Sequence, residues 1–434
     1  MAQSGIDSYF MITERGSTYK REILAGVTTF MTMAYILIIH PGWMGAAGLD
    51  RGASVVVTAL MSGLFSFLMG MYAKLPFALA PGMGGNAFFA FTLVKGGIVP
   101  WEVGMGMVCV SGIVFVLLTV FGVRELIVRL VPKSIKFAIG AAVGIFIAYL
   151  GMKDAGLIAF SGTGIKIGSL GDPRAVLSLI GLFITGVFLA RRTPGGILLG
   201  ILVTAAIGIP MGITKIPESL FAAPASIEPL AFKLDILGAL KVEYIPFMFT
   251  FFVGDFFSTL GTVLGVSQKA GLLDKDGNLP EIGKPFLVDA VGTVVGAIFG
   301  STTITTFIES ASGVESGGRT GLTAVTTSIC FFLAIFLVPL ATCIPSQATA
   351  PALIIIGLMM MPGIRNIVFE DFTEAFPAFM TILVTAYTAS IANGISSGIL
   401  FYTAMKVLSG RIREVHWGTY ILCVPLVIYF LGLR

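Results

Sequence analysis

Runs of about twenty apolar residues, separated by short polar or basic turns, recur from residue 22 almost to the end of the chain. That is the length at which a helix crosses the hydrocarbon core of a bilayer. The pattern predicts spans at 22–44, 54–72, 100–121, 135–152, 175–190 and 195–209. A mixed, proline-bearing connector follows at 210–243. Further spans are predicted at 244–268, 285–299, 320–342, 372–389, 393–408 and 416–433. The proline-flanked run 345–361 reads as lying partly along the membrane, as 123–131 does in the first half. Two stretches interrupt the pattern at matching places: LAPGMGGNAFFA at 79–90 and GSTTITTFIESASGVESGGR at 300–319. Counted as broken spans 3 and 10, they bring the expectation to fourteen spans in two sevens. An odd number per half makes the second repeat inverted.

The broken stretches carry the candidate chemistry. Pro76 and Pro81 remove backbone donors, while Gly82, Gly84 and Gly85 relax the helix, which predicts a short extended piece and a half-helix starting near Gly84 or Gly85. In the second stretch the β-branched threonines suit an extended piece, with a half-helix starting close to Thr306. Unsatisfied backbone at membrane depth is tolerated only inside protein or beside a water-filled cavity. Asn86 and Glu309 stand 223 positions apart, at corresponding places in the two halves. An ionisable residue inside a membrane is costly and marks a site by default, which singles out Glu309 and, in the span TFFVGDFFSTLGTVLG, Asp255. Asp255, Ser258, Thr259 and Thr262 share one helix face, opposite Phe249, Phe252 and Phe256. Asn86 either offers its amide to a ligand or caps its own helix. Gly85, Thr306 and the rings of Phe88, Phe89, Phe256 and Phe307 complete the candidate pocket, though a phenylalanine in a span is more often plain packing. Such a set suits a small, planar, neutral molecule bearing donors and acceptors. Burial disfavours a charged carboxylate, so Asp255 or Glu309 is a candidate carrier of a coupling proton; sodium coupling stays open as the alternative.

Composition narrows the classes. The 434 residues are 56% hydrophobic and 12% charged, with a formal net charge of +4, about half the charge of an average soluble domain. The scattered basic residues read as topology rather than nucleic-acid binding. Lys20 and Arg21 before the first span, and Arg124, Arg129, Lys133, Lys136, Arg191 and Arg192 in later turns, argue for a cytoplasmic N-terminus. Residues 1–21 lack the apolar region of a cleaved signal. Lys406, Arg411 and Arg413 fall on the external side of the predicted count, against the rule. Cys109, Cys330, Cys343 and Cys423 are isolated in or beside apolar runs, and no metal-ligand spacing or paired nucleophile is visible. No enzyme, metal or cofactor is expected. Asp289 and Glu374 read as helix caps or interface residues, and neither His40 nor His416 reads as a proton relay.

At these residues the chain resembles a known family. AGVTTFMTMAYIL at 25–37, APGMGGNAFFA at 80–90, DFFSTLGT at 255–262 and FIESASGVESGGRTGLTAV at 307–325 resemble the nucleobase cation symporter-2 family. Within it they look like the AzgA-like branch of adenine, guanine and hypoxanthine permeases. The resemblance implies an all-α, uracil-permease-like fold of two inverted seven-span repeats. It implies a cytoplasmic segment at 1–21, a core domain from 22–122 and 244–343, and a gate domain from 123–210 and 344–434, with 211–243 as connector. It further implies a homodimer importing purines with protons as the core slides past the gate, which puts it in the cytoplasmic membrane, and the C-terminus is expected to be cytoplasmic like the N-terminus. Asp255, Glu309 and Asn86 match the family's acids of spans eight and ten and its asparagine of span three. Ser258 stands where branch members carry a second acid, and Gly254 where a larger residue is usual. The choice among purines, or of xanthine, uric acid or uracil instead, therefore stays open. An anion carrier of related fold would favour a cation at the half-helix ends, where this chain has acids.

Overall fold

The apolar runs become helices because each must satisfy its own backbone in lipid, and the computed structural model describes them over residues 5–122, 131–161, 164–217, 219–275, 279–388 and 390–432. Arg124 and Arg129, with most of the 123–131 segment, lie outside the described residues. Helices α1 (Tyr19–Met33) and α2 (Ile36–Ala46) form the first span, bent at Ala34 and Tyr35. Helix α3 (Arg51–Leu68) starts on Asp50, whose carboxylate accepts the Ala53 amide. Strand β1 (Leu79–Pro81) leads into half-helix α4 (Met83–Ala87), which continues as a π-helical stretch, Phe88–Val94. The first half ends with α5 (Trp101–Val120), α6 (Lys133–Asp154), α7 (Pro173–Ala190) and α8 (Gly196–Gly208).

The second half opens with α9 (Ile245–Ala270) and α10 (Gly283–Ile298), then strand β2 (Ile304–Thr306) and half-helix α11 (Ser310–Glu315). It closes with α12 (Gly321–Ala334), α13 (Ser346–Met359), α14 (Phe372–Thr388), α15 (Ile391–Leu408) and α16 (Trp417–Gly432). Nine helical stretches among the described residues are long and apolar enough to cross a membrane.

The two broken spans meet in the middle. Strands β1 and β2 pair antiparallel, Leu79 with Thr306, Ala80 with Thr305 and Pro81 with Ile304, and the Gly82 amide adds a bond of 2.7 Å to the Thr303 carbonyl. Each short strand thus satisfies backbone groups of the other. Helix α11 starts at Ser310, not near Thr306 as expected, because Thr305 and Thr306 are held in the ladder and 307–309 make the turn.

Packing sorts the helices into two groups. Helix α12 lies against α1 and α3, and α5 against α9 and α10; in the other group α6 lies against α13, α14 and α15, and α13 against α7 and α8. Each group draws on both halves of the sequence, as an inverted repeat requires. Glu22, buried at the start of α1, accepts from the amides of Arg319 (2.9 Å) and Thr320 (3.2 Å) and from the Thr323 hydroxyl (2.6 Å), tying the two halves at the head of α12.

Two expectations about the last quarter are overturned. The run 345–361 does not lie along a surface: α13 is buried through Ala350, Pro351, Ala352 and Leu353 against α6 and α7. Its proline flanks mark helix ends rather than a surface helix. Consequently the basic residues after α15 change sides. The Ser134 hydroxyl at the start of α6 donates to Glu374 at the start of α14 (2.6 Å), and Glu374 pairs with Lys406 at the end of α15 (2.9 Å). Lys406 and Arg411 therefore share an end of the bundle with Lys133, and the charge anomaly disappears. Helix α16 then returns antiparallel along α15, with Cys423 beside Thr403 and the Tyr429 hydroxyl donating to Asn393 at 2.7 Å.

Candidate functional site

Where the β1–β2 crossing, α9 and the start of α6 converge there is a cavity of about 230 Å³. This is below the roughly 300 Å³ at which pockets for drug-sized ligands begin, so it fits a small ligand. One wall comes from the broken spans and α9: Gly85, Phe88, Asp255, Ser258, Thr306, Phe307 and Glu309 all line it. The opposite wall is Lys136, Ile139, Gly140 and Val143 of α6 with Ile356 and Met360 of the α13 end. The cavity thus lies between the two packing groups.

Glu309 stands at the head of α11, partly exposed toward the cavity, and the Tyr35 hydroxyl donates to its Oε1 at 2.5 Å. Asp255, near the middle of α9, is buried. Its Oδ2 accepts from the Thr293 hydroxyl at 2.8 Å, and among the described residues its Oδ1 has no hydrogen-bond partner. An unpaired buried carboxylate oxygen is expensive to leave unmade, and this one is closed off from the cavity surface although Asp255 lines the cavity, so it marks a place where a proton would be welcomed. Gly85 is required by close approach, since a Cβ there would run into the Thr303 hydroxyl.

Three predicted residues sit elsewhere, the first being Phe89, fully buried against Gly104 of α5 and absent from the cavity wall. Asn86 is fully buried at the crossing: its Nδ2 donates to the Pro81 carbonyl at 3.1 Å and its Oδ1 accepts from the Thr302 hydroxyl. The amide bonds there hold the broken span together, and the side chain does not line the cavity. Phe256 packs among Phe115, Phe252 and Phe286 behind α9. It faces away because it lies one residue past Asp255, about 100° round the helix.

Four residues were missed. Tyr35 and Ser258 stand 223 positions apart, the same offset as Asn86 and Glu309, so the repeat itself pointed to Tyr35. Thr303 enters the cavity wall from the strand side. Lys136, expected in the cytoplasmic turn, lines the cavity, with its ammonium 5.1 Å from the Phe257 ring centre. Asp289, read as a cap or interface residue, is fully buried beneath the site. Its Oδ2 accepts from the Thr306 amide (2.8 Å), the Thr306 hydroxyl (3.1 Å) and the Thr259 hydroxyl (2.6 Å). Thr259 is also 2.8 Å from the Thr305 hydroxyl.

The comparisons with known proteins agree with one another. A family model described as "Permease family" matches residues 20–397. A Methanocaldococcus jannaschii protein is 44% identical over the whole of both chains. The adenine permease AdeP of Escherichia coli is 38% identical, covering 95% of this chain and 93% of its own. The guanine/hypoxanthine permease PbuG of Bacillus subtilis is 37% identical, covering 98% and 100%. Among solved structures, the transmembrane domain of the cyanobacterial bicarbonate transporter BicA superposes with a TM-score of 0.62 at 16% identity, covering 88% of this chain and 97% of that one. An inward-facing murine anion transporter of solute carrier family 26 gives 0.64 at 11% identity, covering 90% and 69%. At such identities these two speak for the inverted-repeat fold alone.

Proposed function

The chain belongs to the nucleobase cation symporter-2 permease family, and from that premise we propose that it imports purine nucleobases across the cytoplasmic membrane by proton symport. The observation that carries the reading is the cavity between the two packing groups, with Asp255 and Glu309 in its wall. Relatives named for adenine and for guanine and hypoxanthine, aligned over almost the whole chain, support purines as the cargo class.

In this reading the group built on α1 to α5 and α9 to α12 is the moving core, and the group of α6 to α8 and α13 to α15 is the gate. Ligand is held on the core wall. Phe88 and Phe307 flank the ring, Glu309 and Asp255 accept its N–H groups, and Ser258 and Thr306 supply hydroxyls. The coupling proton rides on one of the two carboxylates, because closing a cavity around two uncompensated negative charges is costly. The core then slides past the gate with one of the two carboxylates neutralised. Lys133, Lys136, Lys406 and Arg411 gather at one end, which the positive-inside tendency assigns to the cytoplasm.

Purified protein in liposomes with an acidic exterior is expected to accumulate labelled hypoxanthine, guanine or adenine. A protonophore is expected to abolish the accumulation, and replacing sodium by choline to leave it unchanged. Accumulation that needs sodium, or that ignores the proton gradient, would overturn the coupling. Glu309→Gln is expected to lower uptake at least tenfold, about the worth of one hydrogen bond to a charged group.

A further inference from the structure

The acid on the core wall is not presented bare. Tyr35 sits at the bend between α1 and α2, only 1% exposed overall, yet it lines the cavity and its hydroxyl is spent on Glu309 Oε1 at 2.5 Å. Among the described residues no other side chain bonds that carboxylate. The partners come from opposite repeats, span one and span ten, so the orientation of Glu309 is set across the pseudo-two-fold.

We propose that Tyr35 is a specificity-determining residue: by donating to Oε1 of Glu309, it leaves Oε2 as the oxygen with the most acceptor capacity for the ligand. This rests on the purine reading above. An ionised carboxylate with both oxygens open accepts a bidentate pair of neighbouring N–H groups. With Oε1 taken by a phenol held in place by its buried ring, a base offering one ring N–H is served as well as a base offering a ring N–H beside an exocyclic amine. Hypoxanthine is of the first kind and guanine of the second. The tyrosine therefore removes an advantage that guanine would otherwise have.

The bond also orders Glu309 before ligand arrives. A glutamate fixed in one rotamer gives up side-chain freedom, and here the phenol has already imposed that order. Losing it weakens binding of every base, whereas losing the cap on Oε1 favours only the two-donor base. The two effects separate in a ratio.

The test compares kcat/KM for guanine and hypoxanthine in proteoliposomes. Tyr35→Phe keeps the ring and removes the donor. It is expected to raise the guanine-to-hypoxanthine ratio about tenfold, the size of one added hydrogen bond to a charged group. In a Glu309→Gln background the same change is expected to leave the residual ratio where it was, since no carboxylate remains to uncap. An unchanged or lower ratio for Tyr35→Phe, with both bases falling together, would overturn the proposal and leave Tyr35 as packing. Should Tyr35→Phe not reach the membrane, Tyr35→Met carries the same expectation. The unmutated protein is the control for the purine reading: if it moves neither base, that reading fails, and this proposal with it. If it moves both and the ratio does not respond, only this proposal fails.

Discussion

Asp289 does its work through Thr306. Its Oδ2 takes the amide and the hydroxyl of that residue and the hydroxyl of Thr259, so one buried oxygen fixes the strand that forms the cavity wall. Leaving a buried donor unpaired costs about 1–3 kcal/mol. Asp289→Ala, which strands several, is expected to lower the melting temperature of the detergent-purified protein by several degrees and to cut uptake at least tenfold. Asp289→Asn keeps one acceptor oxygen and is expected to lose less of both. Equal losses would show that the charge matters rather than the bonds to Thr306. The first repeat uses the same device in a milder form: Ser66, 223 positions before Asp289, accepts the Leu79 amide at 2.9 Å and so holds the other strand. Polar residues alone did not reveal this. Asp289 lies seven residues into α10, close enough to its start to pass for a cap, and only the repeat offset would have linked it to Ser66. Asp255 was legible because it lies deep within an apolar span, and Glu309 because its broken stretch lies between two apolar helices, where a carboxylate has few harmless roles.

Among the elements, those that satisfy their own backbone were read best. Long spans announce themselves by apolar length, and the β1–β2 crossing by its prolines, glycines and threonines. What the pattern could not give was which apolar run crosses and which lies flat. The flanking prolines, Pro345 and Pro362, made α13 look like a surface helix, yet α13 is buried through Pro351 and its neighbours, and the decision rests on neighbours far away in sequence. The end of the second group turns on such a distant contact. Lys406, with no exposed surface, pairs with Glu414 at 2.8 Å and Glu374 at 2.9 Å, and Arg411 reaches Asp371 at 2.7 Å. This cluster staples α15 to α14 and, through Ser134, to α6. Lys406→Met is expected to destabilise the protein by about 2 kcal/mol, less than the roughly 3–5 of a fully buried pair because the carboxylates reach solvent. Adding Glu374→Gln should recover part of the loss in melting temperature. Asp371 does not supply pH dependence near neutrality. The Thr373 hydroxyl and then the Arg411 guanidinium hold the Asp371 carboxyl down to about 2, below the roughly 3.9 of an unstructured aspartate. Its contribution is therefore complete above about pH 4 and fades only as pH falls toward 2. Any change of uptake between pH 5 and 8 should survive Asp371→Asn, and its disappearance in that variant would place the titrating group at the staple.

For the molecule as a whole, the question is whether the two packing groups move as bodies. Their contact at the cavity is close but not interlocked: a Cβ on Gly84 of α4 would come within 2.9 Å of Val143 Cγ1 on α6. The missing side chain leaves a smooth face where the half-helix meets the opposite wall. Smooth faces suit sliding, since packed interdigitating side chains resist it. The same closeness makes the contact a place to arrest it. In a background where Cys109, Cys330, Cys343 and Cys423 are replaced by serine or alanine, Gly84→Cys with Val143→Cys is expected to form a disulfide on mild oxidation, since the two positions lie within its reach. The oxidised protein should still bind purine, seen as a ligand-dependent rise in melting temperature, but should transport none, and reduction should restore uptake. Each single cysteine should be indifferent to oxidation. If the cross-linked protein transports at its reduced rate, then α4 and α6 stay together throughout the cycle. Alternating access would then have to come from smaller gating movements around a fixed core, and the sliding reading would fall while the site itself stood.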